Sequence, residues 1–219
     1  MKIHNFSNQP SLIHRFMSEL RDVNIQKDRM RFKRNIERVG EILSYELSKT
    51  LSYGTQDIQT PLGVHKSLLS KEDIVVCSIL RAGLPLHEGI TNYFDGSENS
   101  FISAYRHHPD GKDAFEIVVE YAASPSIEGK TLILADPMLA SGKSMVTVLE
   151  ALKQFGTPSK VHIMSILAAQ EGVDYVNANV PEDTELWIAQ IDNELNPRGY
   201  IVPGLGDAGD LAFGPKTDF

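Results

Sequence analysis

Five short apolar runs constrain most strongly what this chain of 219 residues can fold into. They are IVVCSI (74–79), FEIVVEY (115–121), TLILA (131–135), VHIMSIL (161–167) and LWIAQI (186–191). Several are apolar throughout and rich in β-branched residues, as strands covered on both faces are. FEIVVEY differs. Its Phe115, Ile117, Val119 and Tyr121 fall on one face and its charges on the other, which predicts a peripheral strand. Helical stripes alternate with the runs: Met145, Val148, Leu149, Leu152 and Phe155 share a face, and Gly156 stands where a C-terminal cap belongs. Strand, helix, strand in this order predicts an α/β fold, a mainly parallel central sheet flanked by helices, with ligands at the carboxyl ends of the strands.

Upstream the texture is helical from Ser11 to Leu51. Leu12, Ile13, Phe16 and Leu20 share one face, and Phe32, Ile36, Val39, Leu43 and Leu47 recur at spacings of three and four. Residues 52–70 contain Gly54, Pro61 and Gly63 and no sustained period, which predicts a loop or hairpin arm. No internal repeat, low-complexity tract or linker divides the chain. The expectation is a single domain over 1–219, with a helical N-terminal segment (1–51), the arm (52–70) and a core (71–219).

Charge and cysteine usage narrow the function. A formal net charge of −8 argues against non-specific nucleic-acid or membrane binding, which need a basic face, but leaves room for a local pocket for a small anion. Cys77 is the single cysteine, so no intramolecular disulfide or four-cysteine zinc site can form, and its apolar run makes it a packing residue rather than a reactive thiol. The polar N-terminus does not read as a signal peptide, and no apolar run approaches the roughly 18 residues a membrane helix needs. A cytoplasmic protein is expected.

The chemistry concentrates in ADPMLASGKS (135–144). Its Gly142-Lys143-Ser144 suggests a P-loop, but that motif needs its first glycine at position 137, which is proline. Proline has no N–H for a phosphate and a fixed φ. What remains is a strand ending in an acid, a loop of small residues and a helix starting near Ser144. The backbone N–H groups of Ala140 to Ser144, with the hydroxyls of Ser141 and Ser144, then meet at the positive end of a helix dipole, an anion site. Asp136 stands at the strand end, where it can accept hydrogen bonds from sugar hydroxyls. A 5-phosphoribosyl group suits this better than a triphosphate.

DPMLASGKS resembles the phosphoribosyl-diphosphate (PRPP) binding motif of the uracil phosphoribosyltransferases, which share the type I phosphoribosyltransferase fold. Two further segments carry the same resemblance. SILRAGLPLHEG (78–89) is similar to the family's pyrophosphate-binding loop, with Arg81 to donate in a fork to a diphosphate and Gly83 to relax the backbone. NPRGYIVPGLGDAGDLAFG (196–214) is similar to its uracil-binding segment almost letter for letter. The resemblance implies PRPP contacts from Arg81, Arg106, Asp136, Pro137, Met138, Leu139, Ala140, Ser141, Gly142, Lys143, Ser144 and Asp207. It implies uracil contacts from Ile201, Gly206, Asp207 and Ala208. Arg81, Arg106, Asp136 and Asp207 are the implied catalytic set, with Mg²⁺ bound together with PRPP rather than by a protein cage. The implied partners are uracil and PRPP in pyrimidine salvage, and a homodimer or higher homo-oligomer.

Besides Ser141 in place of a family threonine, the sequence departs from the family pattern at two places. Lys143 replaces a family glycine, either adding a charge near the 5-phosphate or pointing to solvent. HHPDGKDAF (107–115) replaces a Glu-Pro-rich stretch. No partner ligands stand at suitable spacing from His107 and His108, so solvated histidines on a flap are expected there.

Overall fold

The computed structural model describes residues 1–107 and 116–216, and of residues 105–107, 116 and 117 the backbone alone. An eight-stranded sheet forms the centre. Its order is β1 (Lys2–Asn5), β10 (Glu185–Asp192), β9 (Lys160–Ala169), β7 (Thr131–Ala135), β4 (Ile74–Leu80), β5 (Glu98–His107) and β6 (Glu116–Ala123), with β8 (Met138–Leu139) added to the end of β9. All neighbours are parallel except β5 and β6. EIVVEY (116–121) belongs to the edge strand, peripheral as its one-sided pattern predicts, and that strand runs antiparallel to β5.

Strict alternation explains why the central strands read as apolar throughout. Val76 of β4, Ile133 of β7 and Met164 of β9 enter one core, with α1 (Leu12–Arg21), α2 (Arg29–Ser48) and α3 (Leu84–Thr91). Their neighbours Val75, Leu132 and Ile163 enter the other, with α4 (Lys143–Leu152) and α5 (Gln170–Asn179). Cys77 belongs to this second core, fully buried, and burial pushes its thiol up to about 11. It is an inert packing group.

The N-terminal helical stretch resolves into two helices. Asp22 accepts hydrogen bonds from the N–H groups of Asn24 (2.8 Å) and Ile25 (3.3 Å), closing a turn, and Asp28 then caps α2 through Met30 and Arg31. The face of α1 is also rotated from expectation. Leu12 is 65% exposed and Met17 is buried in its place, because the three- and four-residue pattern Ile13, Met17, Leu20 points at α2. In α2 the five expected residues are all buried.

Residues 53–70 form a hairpin, β2 (Tyr53–Thr60) and β3 (Gly63–Ser70), that pairs only with itself. Among the strands of the central sheet, β1, β5 and the two-residue β8 escape the sequence reading. β1 is short and polar, and β5 (ENSFISAYRH) mixes polar residues into its apolar pattern. Past α4 a 3₁₀ turn (Lys153–Phe155) ends at Gly156, with φ 124°.

Candidate active site

The carboxyl ends of β4, β7, β9 and β10 lie along one edge of the sheet, and the loops that leave them carry the motif residues. The loop after β7 is pinned to β9. The Asp136 N–H donates to the Met164 carbonyl (3.2 Å), and the buried Ser165 hydroxyl donates to the Asp136 carbonyl (2.5 Å). Pro137 has no N–H to lose, but its carbonyl accepts from Ile166 (3.1 Å) and Leu167 (3.0 Å). β8 then runs alongside β9 before the chain turns into α4.

That turn depends on glycine at a close contact. Gly142 adopts φ 75°, and a Cβ there would lie 2.7 Å from the Gly172 carbonyl of α5. A Cβ on Gly172 would in turn collide with the carbonyl of Ala140. α5 therefore lies directly against the loop backbone. Beside it a cavity of about 40 Å³ is lined by Asp136, Met138, Leu139, Ala140, Ser141, Gly142, Ser144 and Met145. One water needs about 10–15 Å³ on this measure, so a small anion has room. Lys143 is exposed on the first turn of α4.

Burial pushes the Asp136 carboxyl up to about 7, opposed by the Met138 N–H at 3.1 Å. Its side chain is only partly shielded from solvent, yet protein atoms surround it on most sides and deny the charged form its hydration. A partner that donates hydrogen bonds or brings positive charge would draw the proton off.

Arg81 follows β4 across a cis Leu80–Arg81 peptide. Its Nη2 donates to Asp210 Oδ1 (3.0 Å) and to the Gly214 carbonyl (3.3 Å). Gly83 has an ordinary helical φ of −66°, so it does not relax the backbone as expected; it allows a close approach instead. A Cβ there would lie 2.5 Å from the Ile79 carbonyl and 3.0 Å from that of Ala135, the residue before Asp136. The loops after β4 and β7 thus touch.

The C-terminal segment closes the group. β12 (Ile201–Val202) pairs with β11 (Glu194–Leu195), and Ile201 is buried. Gly206 follows with φ 97°, and Asp207 caps the short helix α6 (Ala208–Phe213) by accepting from the Asp210 N–H at 2.9 Å. Arg106 lies on β5 opposite Ile117 of β6, its side chain outside the described residues. The flap expected over residues 107–115, apart from the His107 backbone, lies outside them as well.

Residues that sequence reasoning missed support this arrangement from a distance. Ser165 and Gly172 hold the loop after β7. Arg21 and Asp192 hold the C-terminal segment. A lone serine in VHIMSIL was the one local signal; the others have none, since their partners are remote in sequence.

This architecture is the type I phosphoribosyltransferase fold. Residues 7–215 match the family model for uracil phosphoribosyltransferase. The uracil phosphoribosyltransferase of Porphyromonas gingivalis is 50% identical over 216 residues, covering 99% of this chain and 100% of that protein. That of Pyrococcus furiosus is 36% identical, covering 97% and 90%. Among solved structures, the AQ2163 protein from Aquifex aeolicus superposes with a TM-score of 0.86 at 27% identity, covering 97% of this chain and 98% of that one. The chain belongs to the uracil phosphoribosyltransferase family.

Proposed function

We propose that this protein is a uracil phosphoribosyltransferase that joins uracil to PRPP, giving UMP and diphosphate in pyrimidine salvage, and that the whole chain serves as one catalytic domain. The meeting of three segments carries this reading: Gly83 abuts Ala135, and Arg81 reaches Asp210, so the loops after β4 and β7 and the C-terminal segment surround one place.

In this reading the loop from Pro137 to Ser144 receives the 5-phosphate, and Asp136, as a carboxylate, accepts from the ribose hydroxyls. Arg81 and Arg106 take the diphosphate. On binding, Arg81 exchanges its half-exposed pair with Asp210 for phosphate oxygens, which a guanidinium fork matches well. Backbone groups of Ile201, Gly206, Asp207 and Ala208 take the edge of uracil. A rigid pattern of donors and acceptors there rejects cytosine, whose swapped groups leave partners unpaired. Uracil N1 bonds to C1 of the ribose as the C1–O bond to diphosphate breaks, and the N1 proton passes to solvent. Positioning and preorganised charge supply most of the rate.

Mg²⁺ belongs to this proposal. Among the described residues no cluster of three or more His, Cys, Asp or Glu stands ready to cage a metal. Mg²⁺ is commonly held by one or two carboxylates plus substrate phosphates, and the partly exposed Asp207 fits such a donor set. When bound, it neutralises charge on the departing diphosphate.

The proposal also includes a homodimer or higher homo-oligomer. A two-stranded hairpin is marginal alone in water. The arm nevertheless exposes Leu62 (99%), Val64 (63%) and Leu68 (70%), an apolar surface suited to a second copy of this chain. Among the described residues no helix is long and apolar enough to cross a membrane. A cytoplasmic location fits a substrate as highly charged as PRPP.

Incubation with uracil, PRPP and Mg²⁺ tests the reaction. UMP and diphosphate in equal amounts are expected, with no product when ATP replaces PRPP. Product formed only with ATP would overturn the reading in favour of a kinase.

A further inference from the structure

We propose that Arg21, the last residue of α1, is a positioning residue for base recognition, holding the backbone before Gly206 in register through Asp192 and Gly204. This rests on the reading that uracil pairs with the Gly206–Ala208 backbone.

The clamp starts at the end of β10. Asp192 is 9% exposed and receives both ends of the Arg21 guanidinium, Nη1 on Oδ2 at 2.8 Å and Nη2 on Oδ1 at 2.7 Å. Arg21 Nε also donates to Gln190 Oε1 at 3.1 Å, so the whole guanidinium edge is fixed on β10. The pair then reaches the loop. Arg21 Nη1 donates to the Gly204 carbonyl at 2.9 Å, and the Gly204 N–H donates to Asp192 Oδ2 at 2.8 Å. One ion pair thus holds both backbone polar groups of a single loop residue.

Gly204 has φ 62°, and a Cβ on it would collide with the Ile201 carbonyl, so Ile201 is held by the same turn. Ile201 and Gly206, proposed to meet the base, flank the clamped residue on either side. A contact serving stability alone would join element to element; this one joins two elements to the loop between two base-contacting positions. Burial pushes the Asp192 carboxyl up, but the Arg21 guanidinium and the Gly204 N–H outweigh it and hold the group below its usual range. Lysine cannot reproduce this, because it presents a point charge where a planar fork makes four bonds.

The test compares Arg21→Lys and Asp192→Asn with wild type, in kinetics and in hydrogen exchange. The KM for uracil is expected to rise about tenfold or more in each, with the KM for PRPP within about twofold. Ethylguanidinium added to Arg21→Ala should bring the uracil KM back down. Amides of residues 201, 202 and 204–207 should lose protection in both variants while β4 and β7 keep theirs. Unchanged uracil KM, or equal loss across both substrates in proportion to a fall in folded fraction, would overturn the inference. Exchange needs no turnover: if wild type makes no UMP, the functional reading fails by itself, and unchanged protection at those amides would overturn the clamp separately.

Discussion

At the scale of single residues, Asp136 and Arg81 carry the sharpest expectations. Because burial holds Asp136 up to about 7, it is largely protonated below that pH, and the neutral acid is a weaker acceptor for the two ribose hydroxyls than the carboxylate. The kcat/KM for PRPP should therefore climb as pH rises through about 7, and Asp136→Asn should give a low, flat profile over that range. A wild-type profile equally flat there would remove Asp136 from the role. Arg81→Ala should lower kcat/KM by about 10²–10³, the usual loss for one preorganised donor. Its thermal midpoint should barely move, since the half-exposed pair with Asp210 contributes at most about 1 kcal/mol. Asp136 and Arg81 were legible in the sequence because each ends an apolar strand and is followed by small residues. Arg21, Ser165 and Asp192 were not, because their meaning lies in partners far along the chain. Gly83 was legible as necessary but for the wrong reason: its value is the space beside Ala135, which only the packed sheet reveals.

Among elements, the crossover strands were readable from composition, since burial on both faces leaves few polar positions. β1 and β5 escaped that reading because the first is polar and the second mixes polar residues into its pattern. The break between α1 and α2 was hidden by apolar spacing that continues on either side of the Asp22 turn. β9 and β10 also carry a buried titratable group at the opposite end of the sheet from the site. His162 accepts a hydrogen bond from Trp187 Nε1 at 3.1 Å, and burial pushes it down to about 4, against the pull of Glu185. Unfolded, it titrates near 6.5. Between those values the unfolded chain binds the extra proton, so this term is fully present above about 6.5 and is lost as pH falls toward 4, by about 1.4 kcal/mol per unit at most. Asp136 acts in the opposite sense. Its folded value lies above the ordinary 3.8, so its term is full below that and is lost as pH rises through about 7. The two slopes offset each other in wild type. Urea midpoints of Asp136→Asn should thus rise with pH from 4.5 to 6.5 more steeply than wild type, and those of His162→Gln should fall. Parallel curves for all three proteins would contradict both assignments. Gly172→Ala belongs to this scale too: its methyl collides with the Ala140 carbonyl, so α5 must shift and the KM for PRPP should rise while that for uracil holds.

For the whole molecule, the sheet places the loops after β4 and β7 and the C-terminal segment at one edge, and the arm stands away from them. Leu62, Val64 and Leu68 lie on the turn and on β3, so Leu68→Asp should leave the monomer fold intact and move the sedimenting species toward a single chain. Unchanged mass at micromolar protein would show that the arm is not the assembly surface. The central claim is that one chain unites a phosphoribosyl site with a base site matched to uracil. A base panel measures it most directly: wild type with PRPP and Mg²⁺, and in parallel uracil, cytosine, thymine, adenine, guanine or hypoxanthine, following nucleotide and diphosphate together. UMP with an equal amount of diphosphate from uracil, and cytosine slower by at least a hundredfold, is the expected result. Nucleotide from a purine in preference to uracil, or no nucleotide from any base, would contradict it.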